Sequence, residues 1–154
     1  LAQSIKSQGI SANSDDDVVI CSAVRTPFTR ARKGGLKNTT PEQMLAIVFR
    51  EAAARAKINP AQVEDIVVGN NSQPGAGEVT SRMASFMGGF PETTTIVSIN
   101  RMCSSGLEAC SIIASKIKSG IIDIGIGSGV ESMSLFEMTD AVKVAAISQD
   151  AFDH

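Results

Sequence analysis

Cys103 is the residue best placed for covalent chemistry. It stands in the run Asn100-Arg101-Met102-Cys103-Ser104-Ser105-Gly106-Leu107, between a β-branched apolar stretch (94–99) and a long apolar segment (107–117). That order predicts strand, tight turn and helix, with the cysteine at the turn. A cysteine at a helix N-terminus faces unpaired backbone N–H groups and the positive end of the macrodipole. Such a setting favours the thiolate, the reactive form. The chemistry it suits is nucleophilic group transfer through a covalent intermediate.

The other candidates read as structural. Cys21 and Cys110 lie in apolar segments and are expected in the core. Three cysteines at irregular spacing argue against a disulfide framework. On one helix Cys103 and Cys110 would lie about 10 Å apart, beyond the roughly 7 Å that a disulfide spans. That also leaves a redox-thiol reading without a resolving cysteine near in sequence. The single histidine, His154, ends the chain and reads as solvated, so no metal-ligand cluster forms and no metal is expected. Asp15-Asp16-Asp17 reads as a solvated boundary, and Glu131 as a structural hydrogen-bonding group. Gly125, Gly127 and Gly129 hint at a phosphate loop, but Val130 stands where that pattern needs glycine.

The elements that must position Cys103 follow from patterning. The chain has 154 residues, 43% of them hydrophobic, and a formal charge of −2 from 14 basic and 16 acidic residues. This suits one folded domain. With no basic stripe and no long apolar run, neither nucleic acid nor a membrane span is expected. Residues 1–16 form a polar leader without the apolar region of a secretory signal. Residues 18–24 predict a first strand covered on both faces. Thr40, Pro41 and Gln43 make a helix start, and Met44, Leu45, Val48, Phe49, Ala52 and Ala53 its apolar stripe to about Lys57. Asn59-Pro60 opens a short helical turn. Residues 66–68 predict a second strand, 73–77 a loop, 78–87 a helix and 93–99 a third strand. A helix over 103–118, apolar nearly all round, is expected to be buried centrally. Residues 121–126 predict a fourth strand, and 127–129 a turn. Alternating strands and helices give an α/β fold, a mainly parallel sheet with helices on both faces.

Several of these segments together resemble the thiolase family, closest to its peroxisomal 3-ketoacyl-CoA members. The Asn100–Leu107 run resembles the family's nucleophile motif. Asp17-Val18-Val19-Ile20 with Arg25-Thr26-Pro27-Phe28 resembles its opening strand and turn, and Gly35-Leu36-Lys37-Asn38-Thr39-Thr40-Pro41 the approach to its first helix. Asp65-Ile66-Val67-Val68-Gly69-Asn70 with Gln73-Pro74-Gly75-Ala76-Gly77 resembles its second strand and the loop beyond. The stretch from Asp123 to Ser134, with Val130-Glu131-Ser132-Met133-Ser134 at its end, resembles the strand and turn closing the N-terminal region.

The resemblance implies a thiolase-like N-terminal half-domain over residues 17–134, with 1–16 as leader and 135–154 as a divergent or truncated tail, so that the fold is incomplete at its C-terminus. It implies an acetyl-CoA C-acyltransferase of fatty-acid β-oxidation. Cys103 would be the nucleophile and its N–H an oxyanion donor, with 3-ketoacyl-CoA and coenzyme A as substrates and no permanently bound cofactor. The basic residues Arg25, Arg30, Arg32 and Lys33 read as a solvated loop in preference to a coenzyme A contact, and the coenzyme A-binding residues stay unassigned. The family's Gly-His-Pro, Cys-x-Gly and Asn-Glu-Ala-Phe motifs do not occur in this sequence. The isolated chain is therefore expected to be inactive, and the competing reading is an inactive assembly module. A homodimer is expected. The leader favours a peroxisomal (or glyoxysomal) protein, with mitochondrion or cytoplasm as the alternatives.

Overall fold

The computed structural model describes residues 17–140 and 148, so the leader, most of the tail and His154 lie outside the described residues. Helix α1 (Pro41–Ala56) starts where the capping pattern places it. Pro41 takes the first helical position, and the Thr40 N–H donates to Gln43 Oε1 at 3.0 Å. It ends at Lys57, whose left-handed backbone (φ 58°) turns the N–H back onto the last carbonyls. A 3₁₀ turn, Pro60–Gln62, is capped by Asn59, whose Oδ1 accepts from the Ala61 N–H at 3.0 Å. Then come β1 (Asp65–Gly69), α2 (Glu78–Met87), β2 (Thr95–Ile99), α3 (Ser105–Lys118) and β3 (Gly125–Gly129).

The three strands form one parallel sheet in the order β2-β1-β3, with Asp65 in register with both Thr95 and Gly125. Central β1 is buried along its whole length. Its side chains alternate between two cores, as strand geometry requires. Ile66 and Val68 join Leu45, Phe49 and Ala53 of α1, Ala84 of α2, and Val63 and Phe90. Phe49 and Phe90 meet edge to face at 6.0 Å. On the opposite face Val67 packs with Ala109 and Ile113 of α3 and with Ile122. Helices therefore cover both faces, as the alternation predicts.

The charged residue that opens β1 is also buried. The Asp65 carboxylate pairs with Lys116 of α3 and accepts from Thr95 Oγ1 at 2.7 Å. This joins both flanking elements to the first residue of the central strand.

Several expectations are corrected. Residues 18–24 form no strand: Val19 is 70% and Ile20 86% exposed. A strand needs a ladder partner, and none of the described strands pairs with this segment. The last strand is Gly125–Gly129, not 121–126, so the glycines read as a turn lie in the ladder. Helix packing explains the glycines, because a Cβ at Gly127 would sit 2.6 Å from Cys110 Cα. Finally, α3 is buried along one stripe only, at Ser105, Ala109 and Ile113, while Leu107 is 76% exposed. Cys110 and Cys21 are exposed, not core. Alternation in β1 gives α3 one sheet face to cover, and no described element covers its other side.

Candidate active site

All three strands run the same way, so their C-terminal ends share one rim, where open α/β sheets gather functional loops. The segments following β1, β2 and β3 are tied together there. Glu131 Oε2 accepts from the Asn71 N–H at 3.0 Å, and Oε1 from the Ser72 N–H at 3.1 Å and Asn70 Nδ2 at 3.3 Å. Asn70 Nδ2 also donates to Val130 O at 2.6 Å, and Asn70 Oδ1 accepts from the Gln73 N–H at 2.8 Å. The Asn70 N–H donates to Ile99 O at 3.0 Å, and Asn100 Nδ2 to Asn71 O at 3.2 Å. Glu131 thus has the structural hydrogen-bonding role read from the sequence.

Cys103 is exposed on this rim, in the turn between β2 and α3. Helix α3 begins two residues later than expected, at Ser105, with Ser104 as its N-cap residue. The Ser104 N–H donates to Arg101 O at 3.2 Å, and the Ser105 N–H to Met102 O at 3.1 Å. The first bond back to the cap comes from the Glu108 N–H to Ser104 O at 3.0 Å. The N–H groups of Gly106 and Leu107 therefore belong to the open first turn that an α-helix leaves without carbonyl partners. Arg101 spans the turn to Glu108 with an ion pair of 3.0 Å.

Glycine permits this close seating of strand against helix. A Cβ at Gly69, the last residue of β1, would lie 2.4 Å from the Ser105 carbonyl carbon. The backbone carrying the turn after Cys103 is thus pressed directly on the central strand. An open groove lined by Ile99, Asn100, Arg101, Glu108 and Ile112 runs along the same corner.

The basic residues lie elsewhere. Arg25, Arg30, Arg32 and Lys33 are exposed in the loop before α1. Arg32 pairs with Glu137 at 3.1 Å and its N–H donates to Ser134 Oγ at 2.9 Å, while the Arg25 guanidinium lies over the Phe28 ring at 4.9 Å. Gly125, Gly127 and Gly129 are in the sheet, so they make no phosphate loop. Among the described residues, no cluster of His, Cys, Asp or Glu could hold a metal ion, and no helix is long and apolar enough to cross a membrane. Sequence reasoning attached no role to Asn100 or Ser105, the two polar side chains flanking the turn. The available signal was a short polar residue just after a strand, which commonly hydrogen-bonds the backbone two positions on.

Residues 18–151 match the family model described as thiolase, N-terminal domain. The chain is 48% identical over 125 residues to peroxisomal 3-ketoacyl-CoA thiolase A of Mus musculus, covering 81% of this chain and 30% of that protein. The dimeric peroxisomal thiolase of Saccharomyces cerevisiae superposes with a TM-score of 0.81 at 32% identity, covering 93% of this chain and 37% of that one. Acat5 thiolase from Ascaris suum, crystallised with coenzyme A, gives a TM-score of 0.72 at 33% identity over 77% of this chain and 31% of its own. The chain thus spans between 30% and 37% of the length of these three proteins. The family match takes in the three-stranded sheet, the helices on both its faces and the exposed Cys103 turn, and on that basis the chain belongs to the thiolase family.

Proposed function

We propose that this chain carries the nucleophile of a 3-ketoacyl-CoA thiolase, an acetyl-CoA C-acyltransferase of fatty-acid β-oxidation, and that Cys103 is that nucleophile. The carrying observation is the position of Cys103, exposed on the strand-end rim within the span that matches the thiolase N-terminal domain. In the reaction Cys103 Sγ attacks the 3-keto carbon. The C2–C3 bond breaks, C2 takes a proton, and acetyl-CoA departs. The acyl group stays on sulfur as a thioester until the thiol of coenzyme A takes it, returning the Cys103 thiol. The Cys103 N–H is the oxyanion donor contributed by this turn. The working unit takes in residues 17–134, and the family match continues beyond them to residue 151.

A second group must deprotonate the thiol and a third must protonate the leaving carbanion. The sequence's one histidine sits in no Gly-His-Pro motif, so turnover by these 154 residues alone is expected to be negligible. The peroxisomal and dimeric thiolases among the relatives support a peroxisomal homodimer, and the Ascaris complex supports coenzyme A as co-substrate. An inactive assembly module is the second reading. It is favoured by apolar side chains left uncovered, Leu107 at 76% and Ile20 at 86% exposure.

The test is incubation with an acyl-CoA followed by mass-spectrometric mapping. A thioester on Cys103 is the expected result, and an adduct on Cys21 or Cys110 with none on Cys103 overturns the assignment. Thiolysis near the rate of a complete thiolase, in a coupled acetyl-CoA assay, would overturn the inactivity of the isolated chain.

A further inference from the structure

Met102, immediately before Cys103, has φ 50°. A side chain resists that left-handed region, which few residues besides glycine and asparagine adopt readily. Something must hold Met102 there, and its own side chain does not, being 71% exposed. The holding groups come from both sides of the turn. Asn100 Oδ1 accepts from the Met102 N–H at 2.8 Å. Ser105 Oγ donates to Met102 O at 2.6 Å and accepts from the Arg101 N–H at 2.8 Å. Both the N–H and the carbonyl of Met102 are therefore engaged by side chains.

The two holders are themselves anchored. Asn100 spends its amide donor on Asn71 O, so it links the turn to the segment following β1. Ser105 is 4% exposed and lies where Gly69 presses on the helix start. The turn is therefore fixed to the central strand from two directions.

We propose that Asn100 and Ser105 are positioning residues, which hold Met102 left-handed and so set the orientation in which Cys103 is presented. This deepens the reading of Cys103 as the acylated thiol and rests on it. Without the clamp, Met102 relaxes toward right-handed or extended backbone. The peptide entering Cys103 then rotates, and the competent orientation becomes a minor population whose fraction scales the rate. A competing role as mere structural filler predicts loss of stability with no special dependence on the backbone preference of residue 102.

The experiment uses the full chain and reads the rate of Cys103 alkylation by iodoacetamide, peptide by peptide. The exposed Cys21 and Cys110 serve as internal references, and acylation from acetyl-CoA is measured in parallel. Asn100→Ala and Ser105→Ala are expected to slow both reactions at Cys103 about tenfold, the worth of one such hydrogen bond, with the reference cysteines unchanged. Met102→Gly, placed in the Ser105→Ala background, is expected to recover much of the loss, because glycine accepts positive φ freely. Met102→Val is expected to slow Cys103 with both hydrogen bonds intact, because a β-branched residue resists positive φ. That variant changes an exposed side chain, so it keeps the test open even if Ser105→Ala fails to fold. Unchanged Cys103 rates in Met102→Val, or no recovery by Met102→Gly in folded Ser105→Ala, would overturn the positioning role. Alkylation that follows the pattern above, with the acyl group found on Cys21 or Cys110 and none on Cys103, would instead overturn the thiolase reading and leave the clamp standing.

Discussion

Gly69→Ala tests the coupling between sheet and site. The added Cβ would lie 2.4 Å from the carbonyl carbon of Ser105, 2.5 Å from its oxygen and 2.6 Å from the Gly106 nitrogen. Ordinary contact begins at 3.4 Å, so the shortfall is about 1 Å. All three atoms are backbone, so no side chain can rotate away, and either the strand end or the helix start must move. Overpacking of this kind costs about 1–3 kcal/mol. The upper half of that range is expected, since β1 is buried on both faces. For a chain of this size each kcal/mol lowers Tm by roughly 2–4 °C, giving a fall of about 4–12 °C. Two of the three atoms belong to Ser105, which clamps Met102. A misplacement of about 1 Å is enough to cost on the order of 100-fold in a positioned reaction. Thermal unfolding by circular dichroism and single-turnover acylation of Cys103 measure the two effects. Gly35→Ala is the control, because a Cβ there meets nothing within 4 Å. A Gly69→Ala protein with the Tm and Cys103 reactivity of wild type would refute the argued link between strand and nucleophile.

Three further outcomes are expected. Glu131→Gln replaces one of two accepting oxygens with an NH₂ group facing N–H donors. It should destabilise the rim by about 1–3 kcal/mol, seen as faster amide exchange at Asn71 and Ser72 than at β1. Lys116→Ala leaves the buried Asp65 carboxylate without its cation, whereas Asp65→Asn removes the charge itself. Lys116→Ala should therefore be the more damaging in urea unfolding, by about 1 kcal/mol, since stranding a buried charge is the costlier change. Leu107→Lys alters a residue 76% exposed and should change the chain's own stability by less than about 0.5 kcal/mol. The same substitution should weaken self-association in sedimentation velocity, and an unchanged sedimentation profile would count against α3's open side as a contact surface.

Local signals in the sequence were legible where they were self-contained. Thr40-Pro41-Gln43 marks the start of α1 because its capping atoms lie within one turn of one another. Asn59-Pro60 marks its 3₁₀ turn for the same reason. The strand-turn-helix around Cys103 was legible from the break between a β-branched run and a helix-length apolar one. What failed depended on partners distant in sequence. Residues 18–24 have strand composition, but composition does not supply a ladder. Gly127-Ser128-Gly129 looks like a turn until α3 is laid across it, when the missing Cβ of Gly127 becomes the condition for packing. Cys110 reads as core because its neighbours are apolar, and only the burial stripe Ser105–Ala109–Ile113 reveals which side of the helix faces the sheet. The left-handed Met102 was hidden for a related reason, since methionine carries no propensity for it and the holding groups are Asn100 and Ser105.

The strand order β2-β1-β3 also governs how the chain must be made. Among the described strands central β1 comes first in sequence, yet its two ladder partners follow at Thr95–Ile99 and Gly125–Gly129. During synthesis from the N-terminus, Ile66, Val67 and Val68 emerge without a neighbour on either edge and wait for two later segments. Such delayed, non-local parallel pairing folds slowly and leaves apolar strand exposed to wrong partners. Of the described helices, only α1 precedes β1 in the chain and can shield Ile66 and Val68 during that interval. Helix α1 therefore protects the nascent chain as well as packing the finished one.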